Sequence, residues 1–128
     1  MNNQFKPTGY NLVSPYLMVD DAQKFIDMLL QIFDAKEKRK FAHPGGAILH
    51  AEVQIDDSVI MVSQANEKYP AYHFWMHFYV PDVDETFDRA IEYGCEIVEK
   101  PTVKEGDPDR RGTFMDFAGN YWAVGTQQ

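Results

Sequence analysis

The chain repeats itself. Val19-Asp20-Asp21-Ala22 followed by Ile26-Asp27 is matched by Val80-Pro81-Asp82-Val83 followed by Phe87-Asp88, at an offset of 61 for every pair. Ser58-Val59-Ile60-Met61-Val62 is matched at an offset of 62 by Asn120-Tyr121-Trp122-Ala123-Val124, and one residue of loop accounts for the difference. Self-similarity at a fixed period marks a duplicated supersecondary unit. Whatever the first half folds into, the second must fold into as well, and 128 residues leave room for one domain made of both.

Each half reads as strand, helix, strand, strand, strand. Asn11–Val19 is apolar and strand-like, and Asp20 or Asp21 is placed to cap a helix carrying Ala22, Phe25, Ile26, Leu29, Leu30 and Phe33 at helical spacing. Lys36–Ala42 is a charged strand. After His43-Pro44-Gly45-Gly46, Ala47–Ile55 alternates, with Leu49, Ala51, Val53 and Ile55 on one face and His50, Glu52 and Gln54 on the other. Asp56-Asp57 turns into Ser58–Gln64. In the second half Tyr72–Val80 is a strand, and Asp82 caps a helix with the stripe Val83, Phe87, Ala90 and Ile91, which Gly94 ends. Cys95–Lys100, Thr113–Phe117 and Tyr121–Thr126 complete the set. Ala65–Ala71, polar and containing a proline, reads as the linker between a module at about 11–64 and one at about 72–126. The fold class is α+β, one domain over residues 1–128.

Charge and composition narrow the partners. The formal net charge is −8, which repels phosphate backbones, so no nucleic-acid partner is expected. The Lys36–Lys40 run reads as a solvated edge strand, where charges discourage edge-to-edge pairing. No apolar run approaches the length of a membrane span. Met1–Pro7 is polar and lacks the apolar stretch of a secretory signal. A lone cysteine, Cys95, allows no intrachain disulfide and reads as a buried small hydrophobe. These features point to the cytoplasm.

Three stretches carry a family resemblance: Pro15-Tyr16-Leu17-Met18-Val19-Asp20-Asp21, Ile48-Leu49-His50-Ala51-Glu52-Val53 before Asp57-Ser58, and Gly112-Thr113-Phe114-Met115-Asp116-Phe117-Ala118-Gly119-Asn120-Tyr121-Trp122. Together, and in this order, they resemble the glyoxalase/bleomycin-resistance/extradiol-dioxygenase (vicinal oxygen chelate) superfamily. The last is similar to the Asp-Pro-x-Gly-Asn hairpin of that superfamily, with Phe117 where proline is usual. The resemblance implies two tandem βαβββ modules forming curved mixed sheets around a cleft, with the helices on the outer faces. Alternation then sends Leu17, Val19, Phe74, Met76, Phe78 and Val80 toward the helices. It sends Ser14, Tyr16, Met18, Trp75, His77 and Tyr79 to the cleft.

Metal-dependent members carry four ligands, which the resemblance places here at Ser14, Met61, Trp75 and Ala123. A divalent ion needs charged or imidazole donors at about 2.0–2.6 Å, and neither a methyl, an indole nor a thioether suits it. No cofactor and no standard metal site are therefore expected. His50 and Glu52, two apart on one strand and so about 7 Å from each other along it, are spaced for a displaced ion. The simpler expectation is that they hydrogen-bond within a polar wall.

The expected ligand wall comprises Ser14, Tyr16, His50, Glu52, Gln54, Met61, Trp75, His77 and Tyr79, with Met18 beside them. Aromatic faces with a few polar tips suit a small, planar or partly apolar organic molecule. The resulting expectation is a metal-independent small-molecule binder of the resistance or sequestration type. The alternative is a glyoxalase-like lyase, isomerase or dioxygenase with a displaced metal site using His50, Glu52 and His77. Lys104–Arg111 reads as a loop from which Arg110 or Arg111 reaches an anionic ligand or, more simply, as a solvated hairpin tip. A homodimer is expected, since superfamily members commonly complete their clefts across a two-fold axis.

Overall fold

A computed structural model describes residues 4–128; the first three residues of the polar Met1–Pro7 stretch lie outside the described residues. The chain forms two compact units, one ending at Tyr72 and one spanning His73–Gln128. Each is a four-stranded mixed sheet with one helix, so the expected pair of βαβββ modules is present. Among the described residues no helix is long and apolar enough to cross a membrane.

In the first unit β1 (Tyr16–Val19), α1 (Ala22–Ile32), β2 (Ala35–Ala42), β3 (Ile48–Ile55) and β4 (Ser58–Gln64) give the sheet order β1-β4-β3-β2, with β1 parallel to β4. Asp21 caps α1 by accepting from the Lys24 amide at 3.1 Å, and Gln64 Oε1 accepts from the Ala22 amide at 3.0 Å. Two of the helix's open donors are thereby satisfied. Ala22, Phe25, Ile26, Met28, Leu29 and Ile32 are buried, as are Val19, Ala51, Val53, Ile60 and Val62 of the strands. Full burial of each large apolar side chain contributes about 1.5–3 kcal/mol.

The second unit repeats the order with β5 (Trp75–Tyr79), α2 (Val83–Tyr93), β6 (Glu96–Val103), β7 (Asp109–Met115) and β8 (Tyr121–Gln127), arranged β5-β8-β7-β6. Asp82 caps α2, and Gly94 ends it at φ 120°, a conformation that favours glycine. Trp122, fully buried, has ring neighbours in Phe74, Phe78 and Phe114. Its indole Nε1–H donates to Asp116 at 2.9 Å. Asp116 also accepts from the Ala118 amide (2.8 Å), the Asn120 amide (3.0 Å) and Asn120 Nδ2 (3.1 Å). One buried carboxylate thus organises the whole Asp116–Trp122 hairpin. Phe117, in the position where proline is usual, is largely exposed.

Several strand boundaries differ from expectation, each for a local reason. The first strand begins at Tyr16 rather than Asn11, because pairing with β4 starts only at the Pro15 carbonyl, which accepts from Met61 at 2.9 Å. Leu12 and Val13, upstream, are exposed. The fifth strand begins at Trp75 rather than Tyr72, because the Asn120 side chain takes the Phe74 amide at 3.1 Å. The stretch Lys104–Arg111 is not all loop: β7 already starts at Asp109, so both arginines lie in a paired strand. On β3 the register with β2 slips between Phe41 and Ala42, which pair with His50 and Ile48. Leu49 falls between them as an extra residue. It is exposed, and Ile48 is buried in its stead.

A side chain at position 112 would be crowded. A Cβ there would stand 3.1 Å from the Pro101 nitrogen and 3.2 Å from Phe87 Cδ2, where β7 runs beside β6 and beneath α2. Gly112→Ala is expected to destabilise the fold by about 1–3 kcal/mol through overpacking, read as a lower urea midpoint with an unchanged slope. Cys95 is buried, and burial followed by the Asp116 charge pushes its thiol up to about 12. Iodoacetamide at pH 8 should therefore label the native protein far more slowly than the urea-unfolded chain; equal rates would contradict the burial.

Candidate functional site

Strand alternation sorts each sheet into a face under the helix and a face free of it. In the first unit the register aligns Tyr16 with Met61 and Met61 with Glu52, while Val62 aligns with Leu17 and Ala51 on the helix side. The helix-free face therefore carries Tyr16, Met18, His50, Glu52, Gln54, Met61 and Ser63. Every first-module residue of the expected wall except Ser14 has a place on it. Ser14 sits half-buried just upstream of β1, outside the ladder.

A continuous hydrogen-bond chain crosses this face. Ser63 Oγ and Tyr16 Oη are 2.9 Å apart. Tyr16 Oη lies 3.2 Å from His50 Nδ1, and His50 Nε2 lies 2.8 Å from Glu52 Oε2. Glu52 Oε1 accepts from the Tyr10 hydroxyl. Direction follows from donor inventory. The carboxylate only accepts, so His50 donates from Nε2; in the neutral imidazole Nδ1 accepts from Tyr16 and Ser63 donates to Tyr16. The expectation that His50 and Glu52 bond each other is met.

Glu52 is only 3% exposed. Burial by itself would raise its carboxyl pKa. The hydrogen bonds from Tyr10 and His50, with the positive charge of Arg39 3.8 Å away, outweigh that and hold it below the usual carboxylate range. Tyr10 and Arg39 are functional candidates that the sequence reading passed over. Arg39 belongs to a run taken as solvated edge, and Tyr10 precedes the first strand with nothing in its spacing to aim it at Glu52. Gln54 lies at the side of the chain, accepting from Lys38 Nζ at 3.0 Å. Beside the chain is a depression of about 350 Å³ whose lining includes Tyr16, Met18, Leu49, Ser63, Asn66 and Tyr69.

The second unit bears a different cluster at matching positions. Trp75 stacks on Tyr121 with centroids 4.5 Å apart and planes at 16°, and is two-thirds exposed. His77, where the repeat puts Tyr16 in the first unit, accepts a hydrogen bond at Nε2 from Arg111 Nη1. Tyr79 Oη donates to Asp109 at 2.8 Å. Arg111 also bonds Asp107 at 3.0 Å and pairs with Asp109, and Arg110 holds Asp84 with two 3.0 Å bonds. The expectation of arginines reaching an anionic ligand from a loop is therefore corrected: both are strand residues already matched by the chain's own carboxylates.

Burial, then the Arg111 charge, lowers the His77 pKa, with Asp109 and Asp107 opposing. The unfolded chain takes up a proton at this residue more readily than the folded one, so stability is lost as pH falls through the ordinary histidine value of 6.5. The parent midpoint should drop more than that of His77→Gln between pH 7.5 and 5.5 in urea melts; parallel profiles would refute the assignment.

A model of the Glyoxalase/Bleomycin resistance protein/Dioxygenase superfamily matches residues 10–124. The chain belongs to this superfamily. Relatives include an uncharacterized protein of Mycobacterium bovis, 31% identical with 88% of this chain and 81% of the relative covered. An uncharacterized protein of Mycobacterium tuberculosis is also 31% identical, with 88% and 72% covered. Among solved structures, TioX from Micromonospora sp. ML1 is similar at TM-score 0.73 and 23% identity, covering 92% of this chain and 97% of that one. The fosfomycin resistance protein FosX from Listeria monocytogenes is similar at TM-score 0.65 and 18% identity, covering 92% and 93%. At these identities the two structures share the fold.

The metal chemistry of the superfamily does not fit this chain's donor set. Ser14, Met61, Trp75 and Ala123 offer one hydroxyl, a thioether, an indole and a methyl, which do not replace the hydration shell of a divalent ion. Among the described residues no group of three or more His, Cys, Asp or Glu side chains is placed to hold an ion. The displaced set of His50, Glu52 and His77 draws on both units, and each member already has a partner within its own. His50 and Glu52 are committed to each other, and the His77 nitrogen facing Arg111 accepts from a guanidinium.

Proposed function

We propose that this superfamily member is a metal-independent binder of a small, partly apolar organic molecule, acting in the cytoplasm as a homodimer in a resistance or sequestration role. The observation that carries this reading is the depression of about 350 Å³ on the helix-free face of the first module. It sets apolar side chains (Met18, Leu49) and aromatic ones (Tyr16, Tyr69) next to an oriented polar chain ending in Ser63. Such a pairing of apolar area with few fixed polar groups is what small-molecule recognition needs. The second module carries, on its own helix-free face, an exposed Trp75 stacked on Tyr121, a surface of the same aromatic character. Likeness in fold to a fosfomycin resistance protein is consistent with a role against a small toxic compound.

The test is a thermal-shift screen of aromatic and antibiotic-like compounds, run with EDTA and again with zinc or manganese. A ligand at 100 times its Kd should stabilise the fold by about 2.7 kcal/mol at 25 °C. The reading expects that gain to be the same with and without metal, and to fall in Tyr16→Ala. Stabilisation that appears only with metal would overturn it. It would favour the second reading, a lyase, isomerase or dioxygenase in which His50, held between Glu52 and Tyr16, takes part in proton transfer. Sedimentation at micromolar concentration checks the dimer, and a single monomeric species would refute it.

A further inference from the structure

Tyr10 sits in a receptor built from three side chains of the sheet. Its hydroxyl donates to the buried Glu52 carboxylate. The Lys38 ammonium stands 4.6 Å and the Arg39 guanidinium 5.4 Å from its ring centroid. These contacts define a ligand chemistry. A carboxylate kept ionised asks for an O–H or N–H donor, while two cations over the ring favour a π face and repel a positively charged ligand. An alkylamine, cationic at neutral pH, satisfies the first condition and fails the second; an aliphatic alcohol lacks the ring. A phenol meets both.

The ring that fills this receptor arrives on a solvent-exposed segment. Phe5 to Gly9 and Asn11 to Val13 are exposed, and among the described residues no helix or strand forms before Tyr16. Beyond Tyr10, the Asn11 side chain bonds the Asp57 carbonyl at 2.8 Å, and the Tyr10 amide bonds Pro7 locally. Burial, then the Glu52 contact, raises the Tyr10 pKa, so the hydroxyl remains a donor at neutral pH.

We propose that the Tyr10 receptor, formed by Glu52, Lys38 and Arg39, is a binding site for a free phenolic ligand, and that the N-terminal segment is its built-in competitor. The inference rests on the reading of the first module's helix-free face as a ligand face, and adds the ligand class and its regulation. A phenol binds by displacing Tyr10, which frees the segment. The apparent affinity of the parent chain is therefore the receptor's intrinsic affinity multiplied by the fraction of time Tyr10 is away.

The probe is 4-methylphenol, with toluene as the control that lacks the hydroxyl, titrated by calorimetry into the parent, Tyr10→Ala, and Tyr10→Ala combined with Glu52→Gln. Tyr10→Ala is expected to bind 4-methylphenol at least tenfold more tightly than the parent. Toluene should gain much less, and the double variant should lose most of the gain. Because removing any buried ring can leave a cavity that takes small aromatics, the parent provides the independent measurement. Millimolar 4-methylphenol should speed amide hydrogen exchange over residues 5–13 of the parent, and toluene should not. Equal affinity in parent and Tyr10→Ala, equal gain for toluene, or unchanged exchange would overturn the proposal. If the wider screen finds a ligand sensitive to Tyr16 while 4-methylphenol ignores Tyr10, this inference fails and the broader function stands. If neither binds, both fail.

Discussion

Replacing Asp116 with alanine is expected to destabilise the protein by about 3–5 kcal/mol, among the largest effects of any single polar change. The carboxylate is 3% exposed and accepts from two backbone amides, the Asn120 side chain and the Trp122 indole. Alanine leaves those donors without their acceptor, and each stranded buried donor costs about 1–3 kcal/mol before relaxation. Asp116→Asn should recover only part of the loss, because its amide nitrogen would point a donor at other donors. Urea melts of the three proteins, followed by tryptophan fluorescence, check the ordering. A difference under 1 kcal/mol between the parent and the alanine variant would show that water reaches the turn and that the carboxylate does not organise it.

Trp122→Ala should cost about 3–5 kcal/mol by a different route. The ring is fully buried among Phe74, Phe78 and Phe114, so its removal opens a cavity that these side chains fill only in part. Trp122→Phe should be milder, since a ring remains, yet it still loses the indole donor to Asp116. The Asp116 and Trp122 changes share that hydrogen bond and therefore should not add. The double alanine variant is expected to be more stable than the sum of the singles predicts by about 0.5–3 kcal/mol. Additivity within experimental error would mean that the indole contact contributes nothing beyond the packing.

Much of this architecture was legible in the residues. The 61-residue repeat, with Asp21 and Asp82 as matching helix caps, predicted two copies of one module. The alternation in β3 placed His50, Glu52 and Gln54 on a common face, and the His50–Glu52 bond follows from that. What was not legible depends on partners far along the chain. Leu49 continues an apolar alternation perfectly well, and only a register slip against β2 turns it outward. Asn11–Pro15 is as apolar as a strand, yet regular pairing with β4 starts at Tyr16. Arg110 and Arg111 sit among Gly, Pro and Asp, which read as loop, whereas the amides and carbonyls of β8 extend the ladder to them. Tyr10 was missed for the same reason. A tyrosine in an unpatterned segment has no period, and its role comes from a glutamate 42 positions away.

The outer strands have a consequence for behaviour at high concentration. On one sheet the boundary strand opposite β1 is β2, whose run Lys36-Glu37-Lys38-Arg39-Lys40 is broken in register at Lys38. On the other, the boundary strand opposite β5 is β6, with an irregular register of its own and Pro101 in its length. A foreign extended peptide approaching the first meets a dense positive fringe, and at the second it finds a missing amide donor and a rung out of step. Neither of these two margins offers a template that a growing fibril needs. Sheet extension through β2 or β6 is therefore disfavoured, even with Ile97 and Val98 open to water on β6.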